Sequence, residues 1–169
     1  MFTLINNVLL HIVKKVMINE KGELFYNTFK RQARFQMKEI SPLIPDIGDS
    51  IFKSSYLMCG CYIAWYKAFM LLEISSDEAN KWIWRATEEA LVKIPDCLIP
   101  LAKKIYIGGM LKKAVSHTQK SKAGTLPEYD WKVEYIKIND NEFYLNTYEC
   151  GIKKLAKKFH VEAMLPSLC

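Results

Sequence analysis

The sequence predicts an α+β fold: a helical N-terminal two-thirds packed on a small antiparallel β-hairpin, followed by a C-terminal helix. Three observations carry this expectation. Apolar residues recur at helical spacing from the first residues to about position 118, the period then changes to alternation in WKVEYIKI and EFYLNTYE, and helical spacing returns from Gly151. One domain of 169 residues accommodates all of it, with a helical layer at about 2–118, a linker at about 119–130, and the hairpin and last helix at about 131–169.

The first helix is expected over 2–18, where Leu4, Ile5, Val8, Leu9, Ile12, Val13 and Val16 recur at helical spacing and Asn6, Asn7, Lys14 and Lys15 interrupt the apolar surface. This segment has no basic leader and no small-residue cleavage site, so it reads as part of the fold and not as a secretion signal. Gly22 separates it from a second helix over about 23–40, which aligns Phe25, Phe29, Ala33, Met37 and Ile40. Pro42, Pro45 and Gly48 then predict a loop.

From about Ser50 to Leu72 the chain is apolar nearly all round, the pattern of a helix enclosed by others. Lys67 interrupts it, so the uninterrupted part is too short for a convincing membrane span. Ser75 or Ser76 with Asp77 and Glu78 marks the next helix start, with Trp82, Ile83, Ala86, Ala90 and Leu91 expected to face inward. Pro95 and Pro100 bracket a turn before a helix at about 98–118 that Gly108-Gly109 is expected to loosen. QKSKAGTLPEYD is connection, and NDN between the two alternating runs is turn material. The last helix places Ile152, Leu155, Ala156 and Phe159 on one side and four lysines largely on the other.

Composition narrows the function classes. Five cysteines at 59, 61, 97, 150 and 169 make an odd number without repeated spacing, which argues against a disulfide framework and fits a reducing, cytoplasmic location. Cys59 and Cys61 would lie about 200° apart on a helix, so they do not read as a zinc pair, and no other cluster has ligand spacing. No metal and no cofactor are expected. The net charge of +6 is nearly all lysine, interleaved with acids, and no nucleic-acid-binding motif accompanies it. A solvated lysine surface explains it without a nucleic-acid or membrane partner. The expected partner is a small-molecule substrate, with a homo-oligomer left open.

Cys150 stands where the second strand meets the last helix. That corner brings a thiol near the unpaired N–H groups of the first helical turn, which favours the thiolate, and Lys153 and Lys154 would add to the effect. Read as chemistry, Cys150 is a nucleophile and Glu149 a general base or acid. Read as packing, Cys150 is a small buried hydrophobe and Glu149 a helix N-terminal charge, the commoner outcome for a free cysteine. None of His11, His117 and His160 is an evident partner: His160, ten residues on, lies about 15 Å away along the helix axis.

The hairpin followed by YECGIKKLAKKFHVEAMLPSLC resembles the carboxyl-terminal part of the L-2-amino-thiazoline-4-carboxylic acid hydrolase family, and SPLIPDIGDS, AWYKAFMLLEIS and SDEAN resemble its middle region. The likeness covers about residues 40 to 169. It implies hydrolytic opening of a 2-aminothiazoline ring to a carbamoyl-cysteine, a ring whose carbon between nitrogen and sulfur is electrophilic. By position it implies Cys150 as nucleophile, Glu149 as the proton-transfer residue and Cys169 as a secondary site member. Substrate binding would then fall to Tyr148 and to Arg31 or Arg34, an arginine being suited to hold the substrate carboxylate bidentately. Family members continue past the second cysteine into a further strand that would carry site residues, so the activity expected of a chain ending at Cys169 depends on that segment. Two other classes remain: a non-catalytic domain binding a small ligand between the helical layer and the hairpin, walled by Tyr144, Tyr148 and Trp131, and a basic nucleic-acid binder.

Overall fold

The structure, a computed structural model, describes residues 1–92, 99–139 and 142–168, without the side chains at 99, 102–107 and 110. Pro95, Cys97, Asp140 and Asn141 of the expected turn, and Cys169 lie outside the described residues. The described elements are α1 (Phe2–Lys21), α2 (Glu23–Ile40), a 3-10 turn (Ser41–Leu43), α3 (Lys53–Leu71), α4 (Ser76–Val92), α5 (Ile99–Lys122), β1 (Lys132–Lys137), β2 (Phe143–Glu149), α6 (Gly151–Lys158) and a 3-10 segment (Glu162–Ser167). The class is α+β, as the change of periodicity predicts.

α3 is the centre of the molecule, packed by α1, α2, α4 and α6. Its residues from Tyr56 to Phe69 are buried on nearly every side, which is why the sequence there shows no polar face. Phe29 of α2 stacks on Phe69 at 4.3 Å and meets Trp65 edge-on at 5.3 Å, so aromatic contacts join the two helices. No helix among the described residues is long and apolar enough to cross a membrane.

Several inward assignments change. On α1 the buried line is Asn6, Leu9, Leu10, Val13 and Met17, while Leu4 and Val8 are exposed. Asn6 is inside because its Oδ1 accepts a hydrogen bond from Trp65 Nε1 at 2.8 Å, which satisfies a buried indole donor in the middle of α3. On α4, Ala79, Trp82, Ile83 and Ala86 are buried, but Leu91 is exposed near the helix end. α5 continues as helix through Gly108 and Gly109: glycine lowers helix propensity without removing a backbone donor.

β1 and β2 pair antiparallel, Val133 opposite Thr147 and Ile136 opposite Tyr144. The register shifts at the far end, where Lys132 pairs with Glu149 and leaves Tyr148 as an extra residue. α5 packs along β1, and Thr118 Oγ1 accepts the Tyr135 N–H at 2.9 Å. α6 follows directly on β2 and buries Gly151, Leu155, Ala156 and Phe159, while Ile152 is half-buried. It stops at His160, whose φ of 55° lets the Val161 N–H bond the Ala156 carbonyl at 3.0 Å.

Candidate ligand cleft and the E-C-G corner

The E-C-G corner is built as the sequence predicts: Cys150, extended in backbone, is the N-cap residue of α6. Its thiol makes no capping hydrogen bond; the half-buried side chain packs against the core. Glu149 goes elsewhere. Its Oε1 lies 2.5 Å from Lys132 Nζ and its Oε2 2.5 Å from Lys154 Nζ. The hydrogen bonds and charges of these lysines hold the carboxyl below its ordinary value, which keeps it ionised and makes it a weak proton acceptor. Lys154 is committed further, donating to the carbonyls of Glu128 at 2.7 Å and Asp130 at 3.2 Å.

The other residues assigned to a site around Cys150 are spread over the surface. Tyr148 is exposed on the hairpin and donates to Glu134 Oε2 at 2.8 Å. Arg31 and Arg34 stand exposed on α2, where Arg34 Nε donates to Asn7 Oδ1 of α1 at 3.0 Å. Tyr144 is exposed further along the same strand, and Trp131 is buried with its ring stacked on Phe52 at 4.8 Å, so Trp131 presents no open wall to a pocket shared with the two tyrosines. Cys59 and Cys61 are buried in α3, and burial pushes the Cys61 thiol up to about 12. Among the described residues no group of three or more histidines, cysteines and carboxylates is placed to hold a metal ion.

A cleft of about 440 Å³ opens elsewhere, where the loop before α3, the C-terminal half of α5 and the connection to β1 meet. Its inner wall carries Ser50, His117 and Asp130, exposed by 7, 5 and 1 %. Polar side chains buried to this degree require partners, and each has one. Ser50 Oγ donates to Asp130 Oδ1 at 2.7 Å and accepts the Phe52 N–H at 3.1 Å, fixing the entry to α3. The same Oδ1 accepts the Trp131 N–H at 2.8 Å. A carbonyl only accepts, so His117 Nε2–H is the donor to Trp131 O, at 3.1 Å. The Phe52 ring stacks on the Trp131 ring at 4.8 Å and meets the His117 ring edge-on at 5.7 Å.

Serine, histidine and aspartate are the residues of an acyl-transfer triad, but they are wired differently here. A triad needs the histidine between the other two, taking the serine proton. In this cleft the serine bonds the aspartate directly and the histidine Nε2 is occupied by a backbone carbonyl. The arrangement is a rigid polar wall.

Toward the opening, α5 contributes Lys113, Ser116, His117 and Lys120, a set at i, i+3, i+4 and i+7 that shares one helix face. Lys113 Nζ reaches both oxygens of Asp49, at 2.8 and 3.0 Å. The reading of the residues did not single out the α5 stripe, whose signal is K-x-x-S-H-x-x-K, and neither the polar connection after it nor the loop before α3 gave a sign that Asp130 and Ser50, eighty residues apart, meet. A second depression, about 650 Å³ between the end of α1 and α4, is lined by charges that pair with one another: Lys21 with Glu78 and Arg85 with Glu20. No known protein-family model matches this chain, and no curated protein or solved structure does.

Proposed function

We propose that this chain is a small-molecule-binding domain whose site is the cleft between the loop before α3, α5 and the 125–130 connection. One observation carries the reading: three polar side chains, each more than nine-tenths buried and hydrogen-bonded into a fixed wall, line an open cleft of about 440 Å³. That volume falls in the range of small-ligand pockets, and a prearranged polar wall lowers the ordering cost of binding. The odd cysteine count supports a cytoplasmic location.

Binding is tested by screening a fragment library against the full chain by amide chemical shifts. Binders are expected to move Gly48, Ser50, His117 and Thr125, and to lose affinity when Ser116, exposed on the lining face of α5, is replaced by a bulky residue in Ser116→Trp. Binders that move only amides elsewhere, or that ignore the substitution, overturn the reading.

Cysteine-dependent hydrolysis of a cyclic amidine-like substrate such as 2-aminothiazoline-4-carboxylate is the second reading. It is favoured by the position of Cys150 as N-cap of α6, half-buried, with no hydrogen bond taken up in capping. It needs a proton acceptor other than the doubly paired Glu149. Alkylation by iodoacetamide, followed at each cysteine against pH, separates the two readings. Fast reaction at Cys150, with an apparent pKa well below the free-thiol value of about 8.5, supports the hydrolase, and ordinary or slow reaction removes it.

A further inference from the structure

We propose that the ligand of this cleft is a small phosphorylated molecule, its phosphate held between Lys113 and Lys120 over Ser116 and His117. The inference rests on reading the cleft as a small-ligand site and adds the chemistry of the ligand.

The α5 stripe supplies the geometry. Lys113 and Lys120 are two helical turns apart, about 10 Å along the axis, with Ser116 and His117 between them on the same face. Long lysine side chains can reach over that span, and the Ser116 hydroxyl on the cleft lining offers a donor to an oxyanion.

The cations on the cleft lining are lysines. Lysine binds phosphate as a compact point charge, and that attraction grows with the charge of its partner. A phosphate monoester carries nearly two charges at neutral pH on three acceptor oxygens.

Asp49 supplies an independent observation, because the protein already places an anion of its own at this spot. Its carboxylate is gripped by Lys113 at 2.8 and 3.0 Å, and Lys120 and Lys53 add their charge there. Lys113 therefore holds the anion directly and Lys120 adds to the positive field at the cleft mouth, while Lys53 nearby is taken up by Asp46 and the Gly48 carbonyl. Asp49 is an exposed side chain on a loop, and nothing buried depends on its bond to Lys113. It is the group a dianion would displace. The rest of the ligand would lie along Ile47, Ile51 and Leu126 toward the Ser50–Asp130 wall.

The probe is inorganic phosphate titrated into the full chain, with acetate at matched ionic strength, read at the Gly48, Ser116 and His117 amides. Phosphate is expected to give a saturable shift that acetate does not reproduce. Lys113→Gln and Lys120→Gln should each weaken it by about three- to fivefold, the worth of one exposed charge contact. Asp49→Asn should strengthen it by a similar factor, a change of sign that a merely structural Asp49–Lys113 bridge does not produce. All three positions are exposed, so the variants are expected to fold, and an unchanged amide spectrum away from the cleft checks this. The inference is overturned if phosphate leaves these amides unmoved, if acetate matches it, or if the lysine and Asp49 variants bind as the parent does. Neutral fragments that still bind the cleft in that case retire phosphate and leave the small-ligand reading standing; failure of both removes both.

Discussion

Replacing Gly151 by alanine probes the link between the E-C-G corner and the cleft. Gly151 opens α6 and needs no unusual backbone angle, so its requirement is one of space. A Cβ built there would lie 2.6 Å from Trp131 Cε3, 2.6 Å from Cζ3 and 2.6 Å from the Tyr129 carbonyl oxygen. Carbon contacts are comfortable at about 3.5–4.0 Å, so the ring and the backbone must each retreat by roughly 1 Å. The ring has little room, stacked on Phe52 at 4.8 Å and edge-on to Tyr56 at 6.1 Å. Overpacking of this kind costs about 1–3 kcal/mol, and alanine returns at most about 0.5–1 kcal/mol of helix propensity. The expected net loss is about 1–2 kcal/mol, a fall in Tm of roughly 2–8 °C for a chain of this size.

Urea unfolding followed by tryptophan fluorescence and circular dichroism measures the loss as a lowered midpoint at unchanged slope. The displaced Trp131 should also disturb the His117 amide, since His117 donates to the Trp131 carbonyl. Gly108→Ala is the control: among the described residues nothing lies within 4 Å of its added Cβ on the same kind of element, so it should be neutral or stabilising by up to about 1 kcal/mol. If Gly151→Ala is as stable as the parent, or if the two substitutions behave alike, the reasoning from close approach is wrong.

Three further outcomes are expected. Tyr56 is buried with a hydroxyl that has no hydrogen-bond partner among the described residues, so Tyr56→Phe should leave stability unchanged or raise it by about 1 kcal/mol in the same urea assay, and a loss would reveal a partner. Asp130→Ala strands the Ser50 hydroxyl and the Trp131 N–H and should cost about 2–4 kcal/mol, with Asp130→Asn costing less because an amide oxygen still accepts; equal losses would count against the hydrogen-bond argument. The urea midpoint should fall at both ends of the pH scale. Glu78, Glu134 and Glu149 are held below their ordinary values first by hydrogen bonds to Lys21, Lys122 and Lys132 respectively, so the unfolded chain binds more protons and their contribution, present above about pH 4.3, is lost as pH drops through the lowered values. Cys61, Tyr26, Tyr56 and Tyr62 are raised by burial, so their contribution is present below the ordinary thiol and phenol values and is lost as pH rises from about 9 toward 12. A midpoint that climbed on acidification would contradict the sign, and added salt should shrink the acid limb because those ion pairs are exposed.

The elements themselves were legible because periodicity is a local property. Backbone geometry sets a repeat of 3.6 or 2, and burial of one face writes that repeat into consecutive residues. This is why α2, apart from Tyr26 being buried where Phe25 was expected and Phe25 half-buried, the enclosed α3, the hairpin and the apolar side of α6 agree with the reading of the residues, and why Cys150 stands at the predicted strand-to-helix corner. Which face turned inward was less legible where a long-range bond intervened. Asn6 faces the core because Trp65, fifty-nine residues away, needs an acceptor, and no count of apolar residues on α1 contains that fact.

The candidate site divides the same way. The sequence by itself determined the composition of the α5 stripe, the cysteine at the corner and the glycine after it. Only the tertiary structure decided that Glu149 pairs with Lys132 and Lys154, and that Gly151 yields its space to Trp131. It alone brought Ser50, His117 and Asp130 from three separate segments to one wall. A carboxylate's role depends on which charges lie within a few ångströms of it, and those neighbours are chosen by packing. Spacing along the chain carries no record of that choice.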